Sequence, residues 1–353
     1  IKNMEKNHGK TSINFRKKMA AKVFEHTSSY DNLVSNWINK DNNNLKIINH
    51  EKKILRYGEN PHQKSFFYKK KFNKNLFNKL LQQDKKLSFN NIADVDSAYE
   101  CLREFNEPTC VIIKHNMPCG VASDSKIEKA FIKAYNADSI SAFGGILALN
   151  RKINKNISHF LVSKFFEVII APSFSKEAIK ILQTKKKLIL IETRKLHEEN
   201  KMEIKSVHGG YLVQEKNTVV FSKNKMECVS NKKATDKQIR DLIFAFKVSK
   251  YIKSNAIVLV QNKQTIGIGS GQTSRIYSTK IALSKISSKF KKIGFVAASD
   301  AFFPFTDSIK LLVKKNCKAI IQPKGSINDH KIINYANIKN ISLYFSNYRF
   351  FRH

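Results

Sequence analysis

Acidic residues are scarce in this chain of 353 residues: 28 Asp and Glu stand against 64 Lys and Arg, a formal net charge of +36. Cysteine is sparse as well. The five present (Cys101, Cys110, Cys119, Cys228 and Cys317) are widely spaced and form no CxxC pair. That spacing argues against a zinc site and a disulfide framework, and it suits a reducing cytosol. No apolar run reaches the ~20 residues of a membrane span, and no basic-apolar-small signal peptide opens the sequence. A cytoplasmic protein without a membrane partner is therefore expected. Clustered charge is missing too. A nucleic-acid binder concentrates its cations in a patch, an arm or a helix face, whereas these lysines are scattered among Asn, Ile and Phe. Those four residue types share A- and T-rich codons, so a biased genome accounts for the excess without a polyanionic partner. A basic surface would still steer anionic metabolites.

What is present suits a soluble globular chain with one large or two medium domains: 42% hydrophobic and 26% charged residues. Residues 15–27 have helical spacing, and Ser28-Ser29-Tyr30-Asp31 reads as the cap of a second helix through Trp37. A polar, linker-like run follows from 41. Beyond it, apolar strands alternate with amphipathic helices twice. The first series has strands ending near 113, 149, 171 and 191, after a polar segment 87–96 and a helix over 97–105 capped by Asp94 or Asp96. The second starts with Thr235 as N-cap of a long helix and has strands near 257–260, 293–298, 319–322 and 341–345. Alternation of this kind predicts α/β architecture, sheets covered by helices. The repetition makes an ancient duplication plausible.

The central motif is Lys114-His115-Asn116-Met117-Pro118-Cys119-Gly120, after the buried strand Cys110–Ile113. A strand delivers its last side chains to one sheet edge, where ligands of α/β proteins gather. Here it delivers a cation, an imidazole and an amide before Pro118 and Gly120 turn the chain. One histidine alone would merely end a strand, and other stretches decide the matter. Arg56-Tyr57-Gly58 offers a guanidinium fork, a flat face and close backbone approach. Gly267, Gly269 and Gly271 alternate ahead of a helix that begins near Arg275, a place that favours an anion. Phe302, Phe303 and Phe305 bracket Pro304 between Asp300 and Asp307; a ring exposed beside Asp307 would suit a flat heterocycle. Together these suggest a site for an anionic, partly aromatic substrate, with His115 as base, Lys114 as electrostatic partner and Asn255 as hydrogen-bonding group.

The motifs LRYGENPHQ, KHNMPCG, DSISAFGGILALN, EVIIAP, VHGGYLVQ, KSNAIV, GIGSGQTSR, SDAFFPF and the terminal FRH occur in this order. In this the chain resembles the AICAR transformylase part of the bifunctional purine-biosynthesis family, which pairs transformylase with IMP cyclohydrolase activity. The resemblance runs from about Lys52 to His353, while residues 12–39 look like the last helices of the cyclohydrolase domain. It implies a remnant of that domain over 1–40, a linker over 41–51 and a transformylase domain over 52–353. The last would comprise two cytidine-deaminase-like α/β subdomains, 52–200 and 201–353, with mixed sheets covered by helices. Cyclohydrolase activity is not expected of this chain alone.

The resemblance further implies formyl transfer from the co-substrate 10-formyltetrahydrofolate to the amine of AICAR. His115 would accept the proton, Lys114 would stabilise the transition state, and Asn255 would hold the reacting groups. Arg56, Tyr57, Gly144, Glu167, Arg275, Phe302, Arg349 and His353 would line the nucleotide site. Ile276, Asp307, Ser326 and Ile327 would meet the folate. Glu167 replaces what is often aspartate, and the ending RFFRH replaces the family's RHFRH. A homodimer is implied, no catalytic metal is needed, and a structural monovalent cation stays open. Two other readings compete. A basic nucleic-acid binder is disfavoured by the scattered lysines. A zinc deaminase is disfavoured because Pro118-Cys119 has no second cysteine two residues further on.

Overall fold

The computed structural model describes residues 1–38, 50–70, 79–82, 84, 86–193 and 202–353. Most of the expected linker, and the expected subdomain boundary at 200/201, lie outside those residues. The chain forms two compact units. The smaller opens with helices α1 (Lys2–Glu5) and α2 (Ile13–Ile38). It contains the antiparallel pair β1 (His50–Ile54) and β2 (Phe66–Lys70). The break expected at Ser28–Asp31 does not occur. Ser28 and Ser29 turn their hydroxyls back to the Glu25 carbonyl at 3.2 and 2.8 Å, so the helix runs on uncapped.

The larger unit carries two successive series of elements. The first is β3 (Leu80–Gln82), α3 (Phe89–Leu102), β4 (Thr109–Lys114), β5 (Met117–Ser123), α4 (Ile127–Ala137), α5 (Ser139–Ala142), β6 (Gly145–Leu149), α6 (Lys155–Val162), β7 (Phe166–Ala171), α7 (Lys176–Leu182) and β8 (Ile189–Glu192). A hairpin of the smaller unit, β9 (Met202–Val207) and β10 (Gly210–Glu215), then intervenes. The second series is β11 (Met226–Cys228), α8 (Asp236–Ser249), β12 (Ile257–Gln261), β13 (Gln264–Gly269), α9 (Arg275–Ser284), α10 (Ser288–Ile293), β14 (Phe295–Ser299), α11 (Asp307–Lys314), β15 (Cys317–Pro323), α12 (Asp329–Ile338) and β16 (Ser342–Ser346).

The two series match element for element, and the strand order records the duplication. One mixed sheet of 12 strands runs β11-β16-β15-β14-β12-β13-β5-β4-β6-β7-β8-β3. It reads the same from either edge when equivalent strands are exchanged. The halves meet where β13 pairs antiparallel with β5, Gln264 opposite Ala122. Both faces are covered, which is why strands such as Cys110–Ile113 are apolar without alternation. On one face α3 and α8 share a continuous core that includes Val111, Ile113, Val258 and Val296. The other face has two separate cores, Ile112, Leu147 and Leu161 in the first half and Leu259, Phe303 and Ile320 in the second.

The polar segment expected over 87–96 is instead the beginning of α3. Ser88 caps it, accepting the Asn91 N–H at 3.1 Å while the Asn91 side chain accepts the Ser88 N–H at 3.2 Å. Asp94 is therefore inside the helix and caps nothing. Gly267 and Gly269 also differ from expectation, for they serve packing rather than ligand approach. A Cβ on them would stand 2.2 Å from the Ala282 carbonyl and 1.8 Å from the Ser278 carbonyl of α9. Gly271, with φ +65° and open space around it, is the glycine the turn requires.

Candidate active site

The register places most of the predicted residues at one edge of the large sheet. Ile113 pairs with Ile146 and Gly145 with Phe166, so the end of β4 adjoins the beginnings of β6 and β7, where Gly144 and Glu167 sit. In the second half Ile257 pairs with both Gly269 and Ser299. Asn255, the 270–275 loop and the 300–307 loop therefore crowd the same edge, and β15 and β16 end there too.

The turn is made by His115 and Asn116 themselves, with φ of +53° and +63°. Pro118 and Gly120, expected to turn the chain, belong to β5, and Gly120 is there because a Cβ would meet the Ala134 carbonyl at 2.1 Å. Two left-handed residues in succession make the hairpin turn whose twist suits adjoining strands, and asparagine tolerates that region better than most residues. His115 is exposed. The Lys114 ammonium beside it donates to the Phe143 carbonyl at 2.7 Å.

Helix α3 braces this edge with three residues spaced one turn apart on one face, two of them on the turn itself. Asn91 donates to Glu167 Oε2 at 2.9 Å. Asp94 accepts the Asn116 N–H at 2.5 Å and also the His115 N–H. Burial raises the Asp94 carboxyl above its ordinary range; the two N–H groups and the charge of His115 oppose that rise. Ser97 donates to Asn116 Oδ1 and accepts from Arg352 Nη2 at 3.1 Å.

Arg352 carries the chain of bonds into the second half. Its N–H donates to Ser254 Oγ at 3.2 Å, and its carbonyl accepts the Ser254 N–H at 2.9 Å. Ser254 in turn donates to Asp300 Oδ2 at 2.6 Å, and Asp300 Oδ1 accepts from Arg275 Nη2 at 3.0 Å. The other arm of Arg275 reaches the Phe302 carbonyl at 2.9 Å. Asn255 follows Ser254 and commits its Nδ2 to the Gln272 and Thr273 carbonyls at 2.8 and 3.2 Å. One polar chain thus runs from the His115 turn past Asn255 to Arg275 and Phe302.

The other predicted residues stand around this chain. Arg56 donates to the Tyr57 hydroxyl at 2.8 Å. Their segment is fixed to the start of α3 by Arg56 N–H to Leu87 O and Phe89 N–H to Tyr57 O. Nε of both Arg56 and Arg275 is buried without a hydrogen-bond partner. Gly144, at φ +73°, donates its N–H to the Phe165 carbonyl. Ile276 is half-buried beside Arg275 in the first turn of α9. Phe303 is core, whereas Phe305 is exposed next to Asp307 and Phe302 is half-buried.

Asp307 opens α11, while Ser326 and Ile327 lie on the loop after β15; Asn328 Nδ2 joins that loop to the one before α11 by donating to the Pro304 carbonyl at 2.9 Å. No hydrogen bond or ion pair among the described residues ties those three to the His115 turn. Arg349 and His353 are exposed and stand off the polar chain. The Arg349 guanidinium lies over the Phe351 ring at 4.3 Å, and the His353 ring is 5.4 Å from it. A cavity of about 350 Å³ lined by Lys164, Phe165, Phe166 and Lys185–Leu188 holds none of the predicted residues.

The sequence reading missed Asp94, Ser97, Ser254, Asp300 and Arg352 as the braces of this edge. A polar stripe at Asn91, Asp94 and Ser97, spaced one turn apart in α3, was the available signal. Among the described residues no group of three or more His, Cys, Asp or Glu has the arrangement of a metal site. Burial pushes the Cys119 thiol up to about 12, which disfavours the thiolate a zinc ligand requires. No described helix is long and apolar enough to cross a membrane.

Comparison with known proteins agrees with this architecture. The family model described as AICARFT/IMPCHase bienzyme matches residues 1–285. The bifunctional purine biosynthesis protein PurH of Caldicellulosiruptor bescii is 46% identical over 361 residues, covering 99% of this chain and 70% of that protein. The PurH proteins of Thermoanaerobacter sp. and Fusobacterium nucleatum are each 44% identical. They cover 99% and 97% of this chain, and 69% and 68% of their own lengths. A match over so much of the chain, together with the duplicated α/β fold, shows that this chain belongs to the AICARFT/IMPCHase bienzyme family of bifunctional purine-biosynthesis proteins.

Proposed function

We propose that the larger unit transfers the formyl group of 10-formyltetrahydrofolate to the 5-amino group of AICAR, giving FAICAR and tetrahydrofolate. The observation that supports this best is the single hydrogen-bonded chain from the His115 turn to Arg275, which sets an exposed imidazole, an ammonium and a carboxamide at one edge. An arylamine conjugated to a carboxamide is a poor nucleophile, so its proton must leave as the bond to carbon forms. His115 accepts that proton. With Nδ2 of Asn255 committed to two carbonyls, its Oδ1 is left to accept from the amine. As the nitrogen attacks, the formyl oxygen gathers negative charge, and the Lys114 ammonium offsets it. The bond between the formyl carbon and the folate nitrogen then breaks, and that nitrogen takes up a proton.

Arg56, Tyr57, Gly144, Glu167, Arg275, Phe302, Arg349 and His353 line the nucleotide side in this reading. Ile276, Asp307, Ser326 and Ile327 line the folate side. The protein acts as a homodimer in the cytoplasm, with residues 52–353 as the transformylase domain. Formyl transfer to AICAR, measured as tetrahydrofolate release for the parent and for His115→Ala, tests the proposal. The parent is expected to be active, and the variant to lose on the order of 10²–10⁴-fold in kcat. Equal rates remove His115 from its role, and an inactive parent removes the activity.

A further inference from the structure

The turn that presents His115 has a twin that carries no imidazole. In the second half, Asn262 and Lys263 join β12 to β13 with φ of +54° and +53°, matching +53° and +63° at His115 and Asn116. Asp241, at the same position in α8 as Asp94 in α3, accepts their N–H groups at 2.8 and 2.7 Å. The equivalence extends to the caps, since Ser88 and Thr235 each close a capping box. It also extends to Gly120 and Gly267, each pressed against a helix carbonyl. The same stretch of sequence separates Asp94 from Asp241, His115 from Asn262, and Gly120 from Gly267. A helical aspartate clamped on a left-handed dipeptide is therefore a device of the duplicated unit. It does not depend on an imidazole at the turn, since the second copy has it with Asn262 and Lys263.

We infer that Asp94 is a positioning residue for His115, its carboxylate holding the His115 and Asn116 N–H groups so that the imidazole stays fixed at the sheet edge. The clamp is needed more in the first half than in the second. The twin turn is held from outside as well: the Lys263 carbonyl accepts the Ser123 N–H at 2.9 Å and the Lys263 ammonium pairs with Glu107. His115 is exposed and left-handed, and its turn is secured through Asp94 together with Ser97 on the same helix. Without the carboxylate, two adjacent N–H groups lose a shared acceptor, and the backbone is free to leave a region that residues other than glycine seldom occupy. This inference rests on the reading of His115 as the proton acceptor.

The twin supplies the control. Asp94→Asn keeps the size of the side chain but replaces one acceptor oxygen with a donor. Its kcat is expected to fall by about 10²-fold through misplacement of the base, with KM for both substrates unchanged. Asp241→Asn makes the same change at the opposite edge and is expected to keep the parent's kcat while losing comparable thermal stability. Retention of kcat by Asp94→Asn, or an equal loss in Asp241→Asn, overturns the inference. Asp94→Glu, which keeps the charge but moves it by one methylene, serves if the asparagine variant does not fold; an unchanged kcat there also overturns it. Hydrogen exchange in peptides spanning each turn provides a readout independent of turnover. Asp94→Asn should speed exchange at His115 and Asn116 only, and Asp241→Asn at Asn262 and Lys263 only. If the parent transfers no formyl group, the proposed activity fails while this exchange pattern still decides the clamp; unchanged exchange at His115 and Asn116 refutes it.

Discussion

Asp300→Asn cuts the polar chain at its most buried link. The Asp300 side chain is fully buried and the Arg275 side chain 9% exposed, with Nη2 and Oδ1 3.0 Å apart. Asp300 also takes the Ser254 hydroxyl at 2.6 Å. Removing one member of a buried pair costs ~3–5 kcal/mol, because the remaining charge is left without compensation. Arg275 would be poorly placed to find another partner, since its Nε already lacks one. Asparagine retains an oxygen for Ser254, saving about 1 kcal/mol, so the loss should be ~4 kcal/mol for asparagine and ~5 for alanine. Combining Asp300→Leu with Arg275→Met removes both charges and should restore much of the stability. Urea unfolding followed by far-UV circular dichroism measures this. The one tryptophan, Trp37, belongs to the smaller unit and reports on the wrong transition. A loss below about 1 kcal/mol for Asp300→Asn, or a double variant no better than the single, would refute the reasoning.

Gly120→Ala and Gly267→Ala should each cost ~1–3 kcal/mol or more, since the new methyl meets a helix carbonyl. Gly210→Ala, with nothing within 4 Å, should change stability by less than about 0.5 kcal/mol; thermal melts of the three variants decide it. Asp138 provides a pH test. Burial pulls its carboxyl upward, but the Lys285 ammonium at 2.9 Å and the Ser141 N–H and hydroxyl outweigh that and hold it below its ordinary 3.8. A depressed carboxylate stabilises the fold above its unfolded value and ceases to do so as pH falls through the folded one. The parent's advantage over Asp138→Asn should thus be complete at pH 7 and shrink below about pH 4, read from urea midpoints across that range. An advantage that persists undiminished at pH 2 would exclude the mechanism.

The elements legible in the sequence were those fixed by their own pattern. Thr235 and Gln238 announce α8 as a capping box, and the run Ile257–Val260 announces a strand buried on both faces. Errors arose where a residue type serves two purposes. Gly120, Gly267 and Gly269 looked like turn or ligand glycines, and only the helix carbonyls about 2 Å from their absent Cβ atoms show that they make room for α4 and α9. Asn91 in place of the usual Glu or Gln concealed the capping box that starts α3. The braces were beyond local pattern altogether. Ser97 and Arg352 are 255 positions apart in sequence, and their bond exists because the sheet order brings the tail back over the first half.

The duplication also explains why the candidate site is asymmetric although the fold is not. Exchange of equivalent strands sends the β4–β5 turn to one edge of the sheet and the β12–β13 turn to the other. At the His115 edge, the first half contributes the beginnings of its parallel strands β6 and β7, where connections are short. The second half contributes the ends of β14, β15 and β16, from which the 300–307 and 324–328 loops and the tail emerge. A short, clamped turn therefore faces longer loops across the β5–β13 seam. Under the proposed function, rigid presentation of the base would come from one copy, and enclosure of the substrate from the other. The opposite edge has the same clamp in Asp241, yet Asn262 and Lys263 occupy the positions of His115 and Asn116. What distinguishes the two edges is thus side-chain identity on a shared scaffold, a difference that Asp94→Asn and Asp241→Asn together make measurable.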